Sequence, residues 1–145
     1  MITLAIGADH RGYKFKQKLL QHDDLDGIAI EWFDAGTDSK ERTDYPLYVP
    51  PVCDAVLDGS ADAGILLCGS GQGMAIAANR YRGIYAALVW NETVAELAKM
   101  DDGTNVLVIP ADFVSEEQAV NMVAAWLAAT FKGGRYAERL EMIDS

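Results

Sequence analysis

Short apolar runs alternate with helix-patterned segments along the whole chain, and that alternation restricts its fold more than any other feature. Residues 3–8 (TLAIGA), 28–33 (IAIEWF), 63–67 (AGILL), 84–89 (IYAALV) and 105–109 (NVLVI) read as five strands. Residues 12–21 form a basic amphipathic pattern, and a second helix opens at Pro46 and runs to about Leu57. A small-residue helix follows through residues 74–79. Thr93-Val-Ala-Glu96 and Ser115-Glu-Glu-Gln118 have capping-box spacing and start helices to about Met100 and Ala129. After Gly133-Gly134 a short helix covers about residues 136–143. The run 63–67 is apolar on both faces of a strand and so needs cover on both sides. The pattern predicts an α/β three-layer sandwich, with a five-stranded parallel sheet, helices on both faces and a C-terminal helix.

Composition narrows the classes. The 145 residues are half hydrophobic and 23% charged, with a mean hydropathy of +0.02, which argues against disorder, collagen and coiled coil. No apolar run approaches the ~20 residues of a membrane helix, and the first residues read as a strand rather than as a secretory leader. Two cysteines do not make a disulfide framework, so a reducing cytoplasm is the expected compartment. The net charge of −10 argues against a nucleic-acid partner, and any anionic ligand must be held by a few local cations. With two histidines and no clustered Cys/His, no metal or other cofactor is expected.

Ligands of such folds sit at the carboxyl ends of strands, near the point where strand order reverses. The residues there are Asp9-His10, Asp34-Ala-Gly, Cys68-Gly69-Ser70-Gly71-Gln72-Gly73, Trp90-Asn91 and Pro110-Ala-Asp112. The third group stands out. Its alternating glycines allow a tight turn that aims several N–H groups at one point, and it opens a helix whose dipole favours an anion. The same position is expected to lower the Cys68 thiol pKa. A base beside an anion trap suits proton removal next to a carbonyl, with donors holding the oxyanion that forms. Plainer readings stand beside this one. The loop can be a simple phosphate cradle, Cys68 a small apolar filler, and Asp9 a helix-starting residue. The dinucleotide fingerprint does not fit, because the third glycine is misplaced and the loop follows the third strand. Arg135 and Arg139, four apart, can present two guanidinium groups on one helical face or serve as surface charges. Cys53 reads as core, and His22 as surface.

Five segments together resemble one family. They are Gly7-Ala-Asp9-His10-Arg-Gly12-Tyr13-x-x-Lys16, Arg42-Thr43-Asp44-Tyr45-Pro46-x-Tyr48, and Gly64-Ile-Leu-Leu-Cys68-Gly-Ser-Gly-x-Gly73-x-x-Ile76-Ala-Ala-Asn79. Thr104-Asn-Val-Leu107 and Phe131-x-Gly133-Gly134-Arg135-x-x-x-Arg139 complete the set. Their order and coverage resemble the sugar-phosphate aldose–ketose isomerases, which include ribose-5-phosphate isomerase type B and the galactose-6-phosphate isomerase subunits. The resemblance implies a Rossmann-like fold, with residues 1–145 as one sugar-phosphate isomerase domain. It also implies a homodimer or dimer of dimers with active sites shared between protomers, no metal, and a cis-enediolate path. By resemblance, Cys68 is the base, because Met74 occupies the position where other members carry a glutamate. Ser70 contacts the reacting oxygens, and Gly69, Gly71, Gln72 and Gly73 line the enediolate site. Asp9, His10 and Tyr45 face the sugar, and Arg135 and Arg139 hold the phosphate.

The departures from that pattern are equally specific. Asp101 and Asp102 stand where the family usually has His-Asn, so Asp101 takes the ring-opening position and Asp102 a substrate-facing one. Asp112 stands at a usual arginine, and Tyr136 at a usual histidine. Two readings follow. One is an aldose–ketose isomerase of a small, phosphorylated sugar such as ribose 5-phosphate. The other is a non-catalytic sugar-phosphate-binding or regulatory module on the same scaffold. Neither involves nucleic acid or membrane.

Overall fold

The expected alternation of strand and helix runs through the whole chain, and the computed structural model describes every residue from Met1 to Ser145. The elements are β1 (Ile2–Ala8), α1 (Tyr13–Leu20), β2 (Asp24–Leu25), β3 (Ile28–Asp34), α2 (Val49–Leu57) and β4 (Ala63–Cys68). Then come α3 (Gln72–Ala78), β5 (Ala86–Leu88), α4 (Glu92–Asp102), β6 (Val106–Pro110), α5 (Glu116–Ala128) and α6 (Arg135–Asp144). Tyr45–Tyr48 form a short 3-10 turn before α2, with Pro46 in the first turn where its missing N–H costs nothing.

The sheet order is β2-β3-β1-β4-β6-β5, and every pairing is parallel except β2 with β3. The sixth strand was not expected. β2 is two residues long and returns to β3 through Asp26-Gly27, whose φ angles of 50° and 86° are those of a tight hairpin turn. The chain moves outward from β1 to β3, then crosses to β4 on the other side of β1. The order therefore reverses between β1 and β4.

Alternate side chains of the central strands feed two cores. Leu4, Ile6, Ile65, Leu67, Leu107 and Ile109 pack with Leu19, Ala95, Ala98, Met122 and Trp126 from α1, α4 and α5. Ala5, Leu66, Cys68, Val106 and Val108 pack with Val49, Val52, Cys53, Met74 and Ala78 from α2 and α3. Both faces of β4 are thus covered, which is why its sequence is an uninterrupted apolar run. Cys53 is core, as expected, and burial followed by the neighbouring Asp54 carboxylate pushes its thiol up to about 11. His22 is half-buried and accepts the Trp32 indole N–H through its carbonyl at 2.7 Å.

The Ser115–Gln118 capping box is present, each side chain bonding the other's backbone N–H (3.0 and 2.7 Å). The box expected at Thr93 is not formed. Asn91 caps α4 instead, accepting from the Val94 N–H at 2.8 Å, because an Asn at this extended position reaches the third amide itself.

Trp126 is fully buried, and its indole N–H donates to Thr104 Oγ1 at 2.9 Å. Trp126→Phe leaves that buried hydroxyl without its donor and opens space around a smaller ring. The expected loss is about 1–3 kcal/mol of unfolding free energy, read as a lower urea midpoint with an unchanged m-value.

Candidate active site

Because strand order reverses between β1 and β4, the turns that follow these strands are neighbours, and they carry Asp9-His10 and Cys68–Gly73. Asp9 is buried, and its carboxylate accepts from the amides of Arg11 (2.9 Å) and Gly12 (3.2 Å). That arrangement is the helix-starting role, and it also fixes His10 at the sheet edge. His10 Nδ1 lies 3.2 Å from both the amide N and the carbonyl O of Thr43, which ties it to the loop before α2. Thr43 Oγ1 bonds the Tyr48 hydroxyl at 2.7 Å and steadies that loop. Lys16, with none of its surface exposed, reaches both Asp34 oxygens at 2.9 Å and ties α1 to the end of β3. A buried ammonium needs such a partner.

Cys68 ends β4 with 5% of its surface exposed. The backbone N–H groups of Gly71 and Met74 donate toward its sulfur, so the side chain faces the turn that opens α3. Gly71 adopts φ +78°, and a Cβ there would strike Leu88, so glycine is required. Gly73 lets the Tyr45 ring lie against the loop, with the phenol oxygen 2.6 Å from where a Cβ would stand. Ser70 is exposed, and its hydroxyl accepts the Gln72 N–H at 3.3 Å.

The expected lowering of the Cys68 thiol is not what the structure gives. Burial pushes the thiol up, the Gly71 and Met74 amides pull it down, and the Asp9 and Asp112 carboxylates add to the rise. Burial wins, and the thiol is protonated at neutral pH in an isolated protomer.

Two groups that the sequence reading left out lie at the two ends of the molecule. At the Cys68 end, Arg11 pairs with Asp112. The carboxylate that stands at the usual arginine position is therefore ion-paired, with a residue 101 positions away in sequence. The second is Lys132. Its ammonium stands 2.8 Å from Asp101 Oδ1, and this carboxylate raises the Lys132 pKa. Lys132, Arg135 and Arg139 approach the Tyr136 ring at 4.9, 5.4 and 5.2 Å. Arg135 first, then Lys132, lower the Tyr136 phenol. The signal for Lys132 was its place one residue before the Gly133-Gly134 turn.

The two groups are apart within one protomer. Asp101 and Asp102 end α4, where the chain enters the first residues of β6, whereas Cys68 ends β4. Lys132 N–H bonds the Met100 carbonyl at 2.9 Å, which holds the start of α6 at the same far edge. At ~3.3 Å per strand residue the two edges are on the order of 15 Å apart. The largest cavity, about 640 Å³, belongs to the far edge. Asp102, Tyr85, Arg82 and Asp144 line it, and Cys68 does not.

Comparison with known proteins agrees with this architecture. The chain is 42% identical over 145 residues to ribose-5-phosphate isomerase B of Escherichia coli (strain K12), covering all of this chain and 96% of that one. The crystal structure of a Thermotoga maritima ribose 5-phosphate isomerase superposes with a TM-score of 0.92 at 43% identity, covering 99% and 97% of the two chains. Ribose-5-phosphate isomerase B from Mycoplasma genitalium, solved with bound ribulose-5-phosphate, superposes with a TM-score of 0.90 at 35% identity, covering 98% and 93%. No helix is long and apolar enough to cross a membrane. With a family model matching residues 4–143 and the same fold throughout, the chain belongs to the ribose/galactose isomerase family.

Proposed function

We propose that the chain is an aldose–ketose isomerase of a small phosphorylated sugar, with ribose 5-phosphate and ribulose 5-phosphate as its substrate pair. The observation that carries this reading is the Cys68 sulfur, which faces a turn whose Gly71 and Met74 amides aim at it beside the β1/β4 reversal point. The Cys68 thiolate takes the C2 proton of the open-chain aldose, so that an S–H bond forms as the C–H bond breaks. The released electron pair flows onto the C1 carbonyl oxygen and gives an enediolate. Amides of the loop from Gly69 to Gly73, with the Ser70 hydroxyl, stabilise that charge. Proton movement between O1 and O2 through Ser70, and return of the sulfur's proton to C1, complete the ketose. Asp9, His10, Tyr45 and Gln72 surround the sugar.

Arg135 and Arg139 anchor the phosphate, with Lys132 as a third cation. They stand too far from Cys68 in one protomer for a pentose phosphate to touch both. The working unit in this reading is a homodimer or dimer of dimers in which α6 and the end of α4 of one protomer complete the partner's site. Exposed apolar side chains near the Cys68 edge, Leu47 and Ile76 among them, suit such an interface. Asp101, paired with Lys132, and Asp102 then face the substrate from the partner side. Two free, buried cysteines fit a cytoplasmic enzyme.

The test is incubation of four- to six-carbon sugars, with and without phosphate, in heavy water. Ketose labelled with deuterium at C1, and deuterium at C2 of the aldose in equilibrium with it, are expected with the phosphorylated pentose. Binding without exchange, for every sugar, would instead indicate the non-catalytic module. The thiol adds a pH signature. Because burial raises its pKa above the ordinary 9.0, the active thiolate is a minor form at neutrality. The kcat/KM for isomerisation is therefore expected to climb with pH and level off only above pH 9. A profile already flat at pH 7 overturns the assignment of the thiolate as base.

A further inference from the structure

Arg11 and Asp112 lie over the glycine loop in a way that the mechanism so far does not use. Arg11 Nη2 pairs with Asp112 Oδ2, and the pair crosses above Gly69, the residue directly after Cys68. A Cβ on Gly69 would stand 2.8 Å from both Arg11 Nε and Asp112 Oδ2, so only glycine admits the crossing. The Asp112 N–H donates to the Gly69 carbonyl at 3.0 Å, and the Ala111 N–H donates to the Cys68 carbonyl at 2.9 Å, which fixes the carboxylate beside the loop. Arg11 keeps 57% of its side-chain surface exposed and has no other side-chain partner. A guanidinium carries five N–H donors in a rigid fork, so most of them are free for a ligand.

We propose that Arg11, held across Gly69 by Asp112, is a specificity-determining residue of the isomerase site, offsetting part of the Asp112 charge next to Cys68 and giving its free N–H donors to oxygens of the open-chain sugar. The proposal rests on the isomerase reading above for its substrate, but not for its electrostatics. The charged and titratable groups around Cys68 are Asp9, His10 and Arg11 from the turn after β1, Tyr45 against Gly73, Cys53 from α2, and Asp112 after β6. The α3 amides of Gly71 and Met74 add their dipoles. Among these groups only Arg11 carries a fixed positive charge, and Asp112 is its ion-pair partner. Losing Arg11 exposes the sulfur to the full charge of the Asp112 carboxylate, whereas losing Asp112 leaves it beside a free cation.

The experiment compares Arg11→Gln, Asp112→Asn and the double variant by two readouts. The first is the titration of the Cys68 Cβ resonance by NMR. It is expected to move to higher pH in Arg11→Gln, to lower pH in Asp112→Asn, and back near the wild-type position in the double variant. The second is steady-state turnover of ribose 5-phosphate. Arg11→Gln is expected to lose roughly 10- to 100-fold in kcat/KM, the scale of hydrogen bonds from a charged donor, and the double variant stays impaired because the donors are still missing. A Cys68 titration that is unmoved in Arg11→Gln, or kcat/KM within twofold of wild type, overturns the proposal. If the wild-type protein isomerises no sugar phosphate, the isomerase reading fails while the titration still decides whether the pair sets the charge at Cys68. Arg11→Lys, which keeps the charge and loses the fork, is expected to leave the titration at its wild-type position and lose turnover; a titration that moves up there as far as in Arg11→Gln also overturns the proposal.

Discussion

Cys68→Ala is expected to abolish deuterium incorporation at C2 and to lower kcat by about 100- to 10,000-fold, the usual contribution of a positioned proton-transfer group. The substitution removes only a sulfur at the end of β4, among Val108, Met74 and Leu66 of the α2/α3 core, and the backbone turn remains. In the proposed site the loop amides and the arginines are untouched by this change, so the loss is expected to fall on kcat and much less on KM. That split separates a catalytic thiol from a packing thiol, because a packing defect lowers the melting temperature and leaves turnover of the folded fraction intact. Cys68→Ser is the sharper control. It keeps the volume nearly unchanged, but an alkoxide is far less accessible than a thiolate, so activity is lost with it as well. Exchange that persists in both variants removes the sulfur from the mechanism.

The Arg135→Ala/Arg139→Ala double variant is expected to raise KM for a phosphorylated substrate by about 100- to 10,000-fold. In the proposed site each guanidinium contributes roughly 1.5–3 kcal/mol of charge-assisted hydrogen bonding to the phosphate. Turnover of a non-phosphorylated sugar, where there is any, is unaffected. A local readout accompanies this: Arg135 is the main cause of the lowered Tyr136 phenol, so Arg135→Ala alone moves that titration up toward its ordinary position. Mixing the double variant with Cys68→Ala tests the shared site directly. If each site takes its thiol from one protomer and its arginines from the other, every mixed dimer contains one intact site. Random mixing then restores roughly a quarter of wild-type activity. No restoration would place the thiol and the arginines of a working site in the same protomer, against the distance between them here.

Much of this architecture was legible in the residues. The apolar run of β4 announces a strand covered on both faces, and the glycine loop after it announces an anion-accepting turn. Both signals are local, carried by side-chain periodicity and by glycine conformations that sequence records directly. The hairpin strand β2 had a signal too, Asp26-Gly27, but a two-residue strand offers no periodicity to notice. The cap of α4 shifted from Thr93 to Asn91 for a comparable reason. Two residues with capping chemistry stood within three positions, and backbone geometry chose between them.

The electrostatics of the site were not legible. The helix dipole argument for Cys68 was sound locally, since the Gly71 and Met74 amides do favour the thiolate. It was outweighed by burial beneath α2 and α3 and by two carboxylates, from the ends of β1 and β6. Likewise Asp112 reads in sequence only as a replacement of a usual arginine, and folding alone brings Arg11 over Gly69 to meet it.

The sequence by itself determined the order of elements, the turn that holds Cys68 and the cationic start of α6, because each depends on neighbours a few residues apart. Tertiary structure alone decided how strongly the sulfur holds its proton, which charges cancel, and that the cations lie at the far edge of the sheet from the thiol. Those quantities depend on desolvation and on distances between segments as many as a hundred residues apart, which no local pattern encodes.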